Sequence, residues 1–198
     1  MDSIKPIPTW YNGRHYLSRL EARWAVFLGT LKEPFLFERE GFILPPIPPD
    51  EYSPFVTTYA ADRELWYLPD IWLPRTSQWV ELKPQGEPEL IEIEKLQRLA
   101  YWRHEEAYMV CGEPGFHQAY PSDEMESDAN WCQCRYCGVV GMAFHGWATN
   151  LKCCKTNQEK ERNGLDDQIE SAYQVAANYR FDWTKNPDHI FLNRNRRG

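Results

Sequence analysis

Three charged side chains, Asp70, Glu81 and Lys83, interrupt two short runs of aromatic and branched residues. The runs flank the sequence Pro-Arg-Thr-Ser at 74–77, which is typical of a turn, so residues 66–83 predict a β-hairpin. Strict alternation puts Asp70 on one face of the first strand and Glu81 and Lys83 on one face of the second. Buried charges are costly unless they pair or bind a metal. The pattern therefore predicts either a cation site or a Glu–Lys pair on an ordinary surface hairpin.

The sequence Pro69-Asp70 followed by Glu81-Leu82-Lys83 resembles the motif of the PD-(D/E)xK nucleases, the restriction-endonuclease-like superfamily. The resemblance implies a metal-dependent hydrolase that cleaves phosphodiester bonds of DNA, with an endonuclease favoured over an exonuclease. In that reading Asp70 and Glu81 hold Mg²⁺ or Mn²⁺, and Lys83 positions the attacking water or stabilises the charge that develops on phosphorus. Carboxylates are the ligands that such hard cations prefer, and the bound metal activates water.

A helix is predicted over residues 18–31, where apolar residues recur at helical spacing. Glu21 falls on or beside this apolar stripe. In several branches of the superfamily a Glu on the first helix completes the metal site, and the segment 18–25 resembles that helix. Glu21 is therefore the fourth predicted catalytic and metal-binding residue. The alternative is a boundary residue paired with Arg14 or Arg19. The predicted stripe consists of Leu17, Leu20, Trp24, Phe27, Leu28 and Leu31.

The remaining elements of the first half are a strand over 35–42, a helix over 89–104 and a buried strand over 107–111. The order helix, three strands, helix, strand predicts an α/β (α+β) fold with the αβββαβ core of the restriction-endonuclease-like proteins. Gln97 and Tyr101 on the second helix also fit the loose Gln-xxx-Tyr pattern of the RecB-like exonuclease branch, which would make them accessory site residues. Their spacing fits equally well two neighbours on one helix face.

Five of the six cysteines lie between positions 132 and 154. In a reducing compartment this clustering favours metal binding over disulfides. Cys134-x-x-Cys137-Gly138 resembles a zinc knuckle, and tetrahedral Zn²⁺ requires four ligands. Cys153 and Cys154 form the predicted second pair. Because adjacent residues rarely both bind one ion, Cys132 or His145 is the alternate fourth ligand. We expect a structural role for this zinc, with a hairpin over 139–147 inside the insert.

The whole chain of 198 residues is predicted to divide into a nuclease core at 11–120, a zinc-knuckle-like insert at 121–160 with a linker at 121–130, and a C-terminal helix with a basic tail at 161–198. The helix is predicted at 165–179 and should pack back on the core. With no signal-like or bilayer-length apolar run, we expect a cytoplasmic protein without membrane contact.

The net charge of −7 provides no global basic field for tight non-specific DNA binding. Cleavage of both strands often needs two active sites, which favours a homodimer. The alternative function is a catalytically inactive module that binds nucleic acid or protein and carries a structural zinc.

Overall fold

The computed structural model describes residues 6–48, 62–122, 129–144, 151–153 and 167–182. The fold is mixed α/β, which confirms the predicted class. The described residues form three helices, α1 (Arg19–Thr30), α2 (Leu90–Arg103) and α3 (Asp167–Asn178), and eleven strands. The strands are β1 (Thr9–Tyr11), β2 (Arg14–Tyr16), β3 (Leu36–Phe37), β4 (Phe42–Leu44), β5 (Leu65–Tyr67), β6 (Ile71–Leu73), β7 (Gln78–Lys83), β8 (Glu106–Glu113), β9 (Phe116–Pro121), β10 (Ala129–Gln133) and β11 (Val140–Phe144). No helix of the described residues is long and apolar enough to cross a membrane.

The central sheet has five strands in the order β3-β6-β7-β8-β9. β6 and β7 form the predicted hairpin, with Ile71 opposite Val80. β7 and β8 are parallel, and α2 makes the crossover that a parallel pair requires. The two faces of the sheet bury different side chains: Ile71, Val80 and similar residues pack toward α1, and Trp79 with its neighbours packs toward α2.

Helix α1 forms almost where it was predicted. Ser18 is the N-cap, and its side chain accepts a hydrogen bond from the backbone N–H of Glu21. Trp24 and Phe27 are completely buried, and the indole N–H of Trp24 donates to the Gly112 carbonyl of β8 at 3.0 Å. Leu17 is the exception in the predicted stripe: it precedes the helix and is 58% exposed. The burial of α1 thus joins the helix to the central sheet.

The prediction of continuous strands over 66–72 and 35–42 was wrong. Residues 66–72 divide into β5 and β6, which belong to different sheets, because Pro69 lacks an N–H and restricts the residue before it. Residues 35–42 likewise divide into β3 and the start of β4, with Glu38 between them in the left-handed region at φ 46°. β4 and β5 pair with each other in a separate two-stranded sheet.

Helix α2 covers the other face of the sheet and carries a buried ion pair that the apolar pattern did not predict. The predicted Leu96 and Leu99 are completely buried, whereas Leu90 is 56% exposed. Glu94 and Arg98 pair at 2.5 Å, and both side chains are 2% exposed. Arg98 also donates to the backbone carbonyls of Leu44 and Arg63. This guanidinium therefore fixes α2 to both ends of the segment that connects β4 with β5.

The second half of the chain is more regular than predicted. β8 continues through a turn into β9, to which no element was assigned, and residues 129–130 of the predicted linker belong to β10. Residues 140–144 of the predicted hairpin at 139–147 form one strand, β11, which pairs with the preceding β10, and residues 145–147 lie outside the described residues. α3 packs on α1, as predicted, through Ile169, Ala172, Tyr173 and Ala176. The basic tail at 194–197 lies outside the described residues.

Candidate functional site

Asp70, Glu81 and Lys83 meet at the end of the β6–β7 hairpin that is remote from its turn. Asp70 immediately precedes β6, and Glu81 and Lys83 lie on β7. Continuing the observed register by one residue sets Asp70 beside Glu81. One carboxylate oxygen of Asp70 accepts a hydrogen bond from the backbone N–H of Leu82 at 2.7 Å. The side chain of Asp70 is therefore held against the strand that carries the other two predicted residues.

Lys83 lies between two carboxylates. Its Nζ is 2.9 Å from Glu81 and 2.6 Å from Glu92, which lies in the first turn of α2. Glu81 also accepts a hydrogen bond from the Tyr67 hydroxyl of β5 at 2.9 Å. Sequence reasoning missed Glu92 and Tyr67. The helix that starts soon after Lys83, with an acidic residue in its first turn, was a usable signal for Glu92, whereas nothing in the sequence pairs β5 with this site.

The electrostatics of the site are those of a buried acidic pair. Burial raises the pKa of Asp70 well above its ordinary value, and the neighbouring charge of Glu81 raises it further. Burial also raises the pKa of Glu81, against the opposing effect of Lys83. For Lys83, burial lowers the pKa, but the nearby carboxylates of Glu81 and Glu92 more than reverse this effect, so the net change is upward. Such a site favours an added positive charge.

Glu21 lies near this pair but its carboxylate is used by its own helix. The oxygens accept hydrogen bonds from the Leu17 backbone N–H at 2.9 Å and the Ser18 hydroxyl at 2.7 Å. These contacts close the N-terminus of α1 and differ from the alternative pairing with Arg14 or Arg19. The charge of Glu21 nevertheless raises the pKa of Asp70. Within the described residues, the oxygens of Glu21, Asp70 and Glu81 do not all come within 4.8 Å of one another.

A cavity of about 170 Å³ opens beside Glu81 and Lys83. Gln97 and Tyr101 are not among the residues that line it, although both lie on α2. Gln97 is 4% exposed, and the Tyr101 ring contacts the rings of Trp102 and His104. The lining residues are Trp66, Tyr67, Leu68, Glu81, Lys83, Glu92 and Lys95.

Three cysteines form a second cluster. The thiols of Cys134, Cys137 and Cys153 all lie within 4.8 Å of one another and can hold a metal ion such as zinc. The turn that carries the first two is closed by a hydrogen bond from the Gly138 N–H to the Cys134 carbonyl at 2.8 Å. Gly138 has φ 68°, a conformation that favours glycine. The predicted knuckle therefore forms the tip of the β10–β11 hairpin.

Of the other predicted zinc ligands, Cys132 is the one within the described residues, and it is not part of this cluster. Cys132 lies on β10, where its thiol faces the Gly141 carbonyl at 3.7 Å. Burial raises the pKa of Cys132 to about 12, which disfavours the thiolate that a metal requires. Cys154 and His145, the remaining candidates for a fourth ligand, lie outside the described residues. The structure thus brings together three of the four predicted cysteines.

Hydrogen bonds made by Glu33, Arg75 and Gln78 attach the β10–β11 hairpin to the rest of the protein. The buried Glu33 accepts from the Val140 backbone N–H at 2.9 Å and from Arg75 at 3.1 Å, and Arg75 also donates to the Cys137 carbonyl. Burial raises the pKa of Glu33. The Gln78 amide exchanges two hydrogen bonds with the backbone of Met142, at 2.7 and 2.9 Å. The turn that carries Cys134 and Cys137 is therefore hydrogen-bonded to the β6–β7 hairpin, which also carries the acidic site.

Comparisons of the chain with protein-family models, with curated proteins and with solved structures find no match. What the two clusters do is therefore argued from the residues of this chain.

Proposed function

We propose that the protein is a metal-dependent nuclease that hydrolyses phosphodiester bonds of DNA at Asp70, Glu81 and Lys83. The observation that carries the proposal is the acidic pair at the end of the β6–β7 hairpin, where Asp70 and Glu81 have raised pKa values and the ammonium of Lys83 pairs with Glu81. A protein that keeps two repelling carboxylates side by side, the partly buried Asp70 and the buried Glu81, accepts a cost in stability, and such sites are often functional.

The topology supports the same proposal. α1, β3, β6, β7, α2 and β8 follow one another in the order αβββαβ if the separate β4–β5 pair is treated as an insertion. In the PD-(D/E)xK resemblance the paired carboxylates come from adjacent antiparallel strands, and Asp70 and Glu81 come from such neighbours. The resemblance also implies an endonuclease, and a homodimer for cleavage of both strands.

The donor set fits a divalent metal. Asp70 and Glu81, with the Leu82 carbonyl, are the groups that would hold Mg²⁺ or Mn²⁺, which bind oxygen ligands. The ion would activate a bound water molecule and neutralise the charge of the scissile phosphate. Glu21 remains the predicted additional carboxylate, although its oxygens cap α1.

The protein's own residues have separate roles in this proposal. Lys83 is oriented by Glu92 as well as by Glu81, so the position of its ammonium does not depend on Glu81 alone. The Tyr67 hydroxyl donates to one oxygen of Glu81 and thereby fixes the rotation of that carboxylate. Lys83 stays protonated at neutral pH because of its raised pKa, which favours stabilisation of negative charge over removal of a proton from water.

The test is cleavage of plasmid and single-stranded DNA with Mg²⁺ or Mn²⁺, with and without EDTA. We expect the parent protein to cleave and the Asp70→Ala and Lys83→Ala variants to lose at least 100-fold in rate, as is typical when a group that stabilises the transition state is removed. Glu87→Gln is the matched control, since it removes an exposed carboxylate in the turn after β7. Cleavage by Asp70→Ala at the parent rate would refute the proposal.

A catalytically inactive binding module is the second candidate. It is favoured by the two ion pairs of Lys83, which already satisfy the ammonium without a substrate. In that case the parent protein would bind DNA or a protein without cleaving it under any metal.

We also propose that the thiols of Cys134, Cys137 and Cys153 hold a structural Zn²⁺. Cys134→Ser should lower the zinc content of the purified protein and its melting temperature, because a structural ion stabilises the fold that binds it. Cys132→Ser is the control, since its thiol lies outside the cluster. Equal zinc content in both variants would contradict the assignment.

A further inference from the structure

Trp66 is a large aromatic side chain that the fold leaves in solvent. It is 73% exposed, although it lies on a strand whose neighbouring residues Leu65 and Tyr67 are buried. The alternation of β5 explains the arrangement: Tyr67 points inward and binds Glu81, and Trp66 points outward. Its cross-strand partner, Ile43, is 48% exposed. Burial of an indole is favourable, so this exposure requires a reason.

The indole lies at the edge of the candidate site. Trp66 and the half-exposed Leu68 contribute an apolar wall to the cavity of about 170 Å³ that Glu81 and Lys83 also line. Lys95 of α2 lines the same cavity and adds a second ammonium to that of Lys83, which is paired with the two carboxylates of the lining, Glu81 and Glu92. An aromatic surface next to cationic groups is the combination that proteins use for unpaired nucleotides, with the base stacked on the ring and the phosphate near the charges.

We propose that Trp66 is a stacking platform for an unpaired base next to the scissile phosphate, so that the substrate is a single strand or a duplex with locally unpaired bases. The inference deepens the proposed nuclease function and rests on it for the position of the scissile phosphate. A base within an intact duplex is stacked on both sides and offers no free face to the indole. Stacking therefore distinguishes unpaired from paired DNA without reading the sequence.

The experiment measures binding by fluorescence anisotropy of a fluorescein-labelled 12-nucleotide single strand and of the blunt duplex of the same sequence. The binding buffer contains Ca²⁺ in place of Mg²⁺ or Mn²⁺, because Ca²⁺ also binds carboxylate oxygens but with flexible geometry. Trp66→Ala should raise the Kd for the single strand by roughly 5- to 100-fold, the effect of losing one stacked base. Trp66→Phe keeps an aromatic face and should stay near the parent value. Phe116→Ala is the matched control, because Phe116 is 77% exposed on β9 and does not line the cavity.

A second experiment removes one base from the DNA and leaves the Trp66 ring in the protein. Single strands with one abasic position, moved along the oligonucleotide, should weaken binding of the parent at one position, and Trp66→Ala should then add no further loss. Unchanged single-strand binding by Trp66→Ala, an equal loss for the blunt duplex, or a parent that binds neither DNA would overturn the inference. So would a parent dimer that Trp66→Ala converts to a monomer, since the indole would then belong to a contact between copies.

The two proposals fail separately. If Asp70→Ala still cleaves DNA while Trp66→Ala loses single-strand affinity, the catalytic assignment is wrong and the stacking platform stands. If Asp70→Ala is inactive while Trp66→Ala binds single strands as the parent does, the stacking platform is wrong and the catalytic assignment stands. Near-ultraviolet circular dichroism of each variant verifies that the fold is retained.

Discussion

The buried imidazole of His117 gives a prediction about stability and pH. His117 lies on β9, and its ring contacts the rings of Trp24 and Tyr173 at centroid distances of 5.0 and 5.5 Å. Both ring nitrogens are buried, and neither has a hydrogen-bond partner among the residues that the structure describes. A protonated imidazole would carry two unpaired N–H groups and a charge in this aromatic environment. Burial accordingly lowers the pKa of His117 from 6.5 to about 4.

The sign follows from proton uptake. Between the two pKa values the unfolded chain binds a proton at His117 and the folded protein does not, so the free energy of unfolding falls as the pH is lowered from 6.5 toward 4. With these two values the loss is roughly 2 kcal/mol between pH 7 and pH 5 and roughly 3 kcal/mol by pH 4. Asp70 and Glu81, whose pKa values are raised, act in the opposite direction over the acidic range.

The assay is urea unfolding at pH 7 and at pH 5 for the parent, His117→Phe and His104→Asn. His117→Phe keeps an aromatic ring and removes the titration. Between pH 7 and pH 5, the unfolding free energy of this variant should therefore fall by about 2 kcal/mol less than that of the parent. The carboxylate terms cancel in this difference. His104 is exposed in the left-handed conformation that Asn accepts, so His104→Asn should follow the parent. Parallel pH profiles of parent and His117→Phe would refute the reasoning.

Three further predictions concern other buried groups. Asp70→Asn should abolish cleavage while raising the unfolding free energy by on the order of 1 kcal/mol at pH 7, because one repelling charge is removed and the amide oxygen can still accept from Leu82; a lower melting temperature would contradict this. Gly141→Ala should cost about 2–4 kcal/mol in chemical unfolding, because an added Cβ would lie 2.6 Å from the Gln78 amide oxygen, and an unchanged midpoint would show that the neighbours yield freely. Arg98→Met should cost about 3–5 kcal/mol by leaving a buried carboxylate without its partner, and a loss below 1 kcal/mol would indicate that the carboxyl is protonated.

The elements that the sequence predicted well are those whose signals are local. Ser18 and Glu21 mark the start of α1 because a hydroxyl at the N-cap and an acid three residues later satisfy free backbone N–H groups. The β6–β7 turn was predicted from its Pro-Arg-Thr-Ser sequence, which is likewise a local signal. The ends of α2 were also correct to within one residue at each side.

Contacts between distant segments could not be predicted in this way. Arg98 donates to the end of β4, and its buried ion pair has the same sequence appearance as a solvated pair four residues apart on a helix. The hydrogen bonds between the Gln78 side chain and the Met142 backbone join residues 64 positions apart. They take the place of backbone hydrogen bonds between the two strands. The third cysteine thiol, from Cys153, is likewise brought to the first two by tertiary packing.

Nearly all of the acidic site belongs to one uninterrupted stretch, from Tyr67 to Glu92. A hairpin followed directly by the first turn of a helix is enough to bring Asp70, Glu81 and Lys83 to their neighbours. Transfer of this one stretch to another sheet of the same topology would therefore carry most of the site's residues with it.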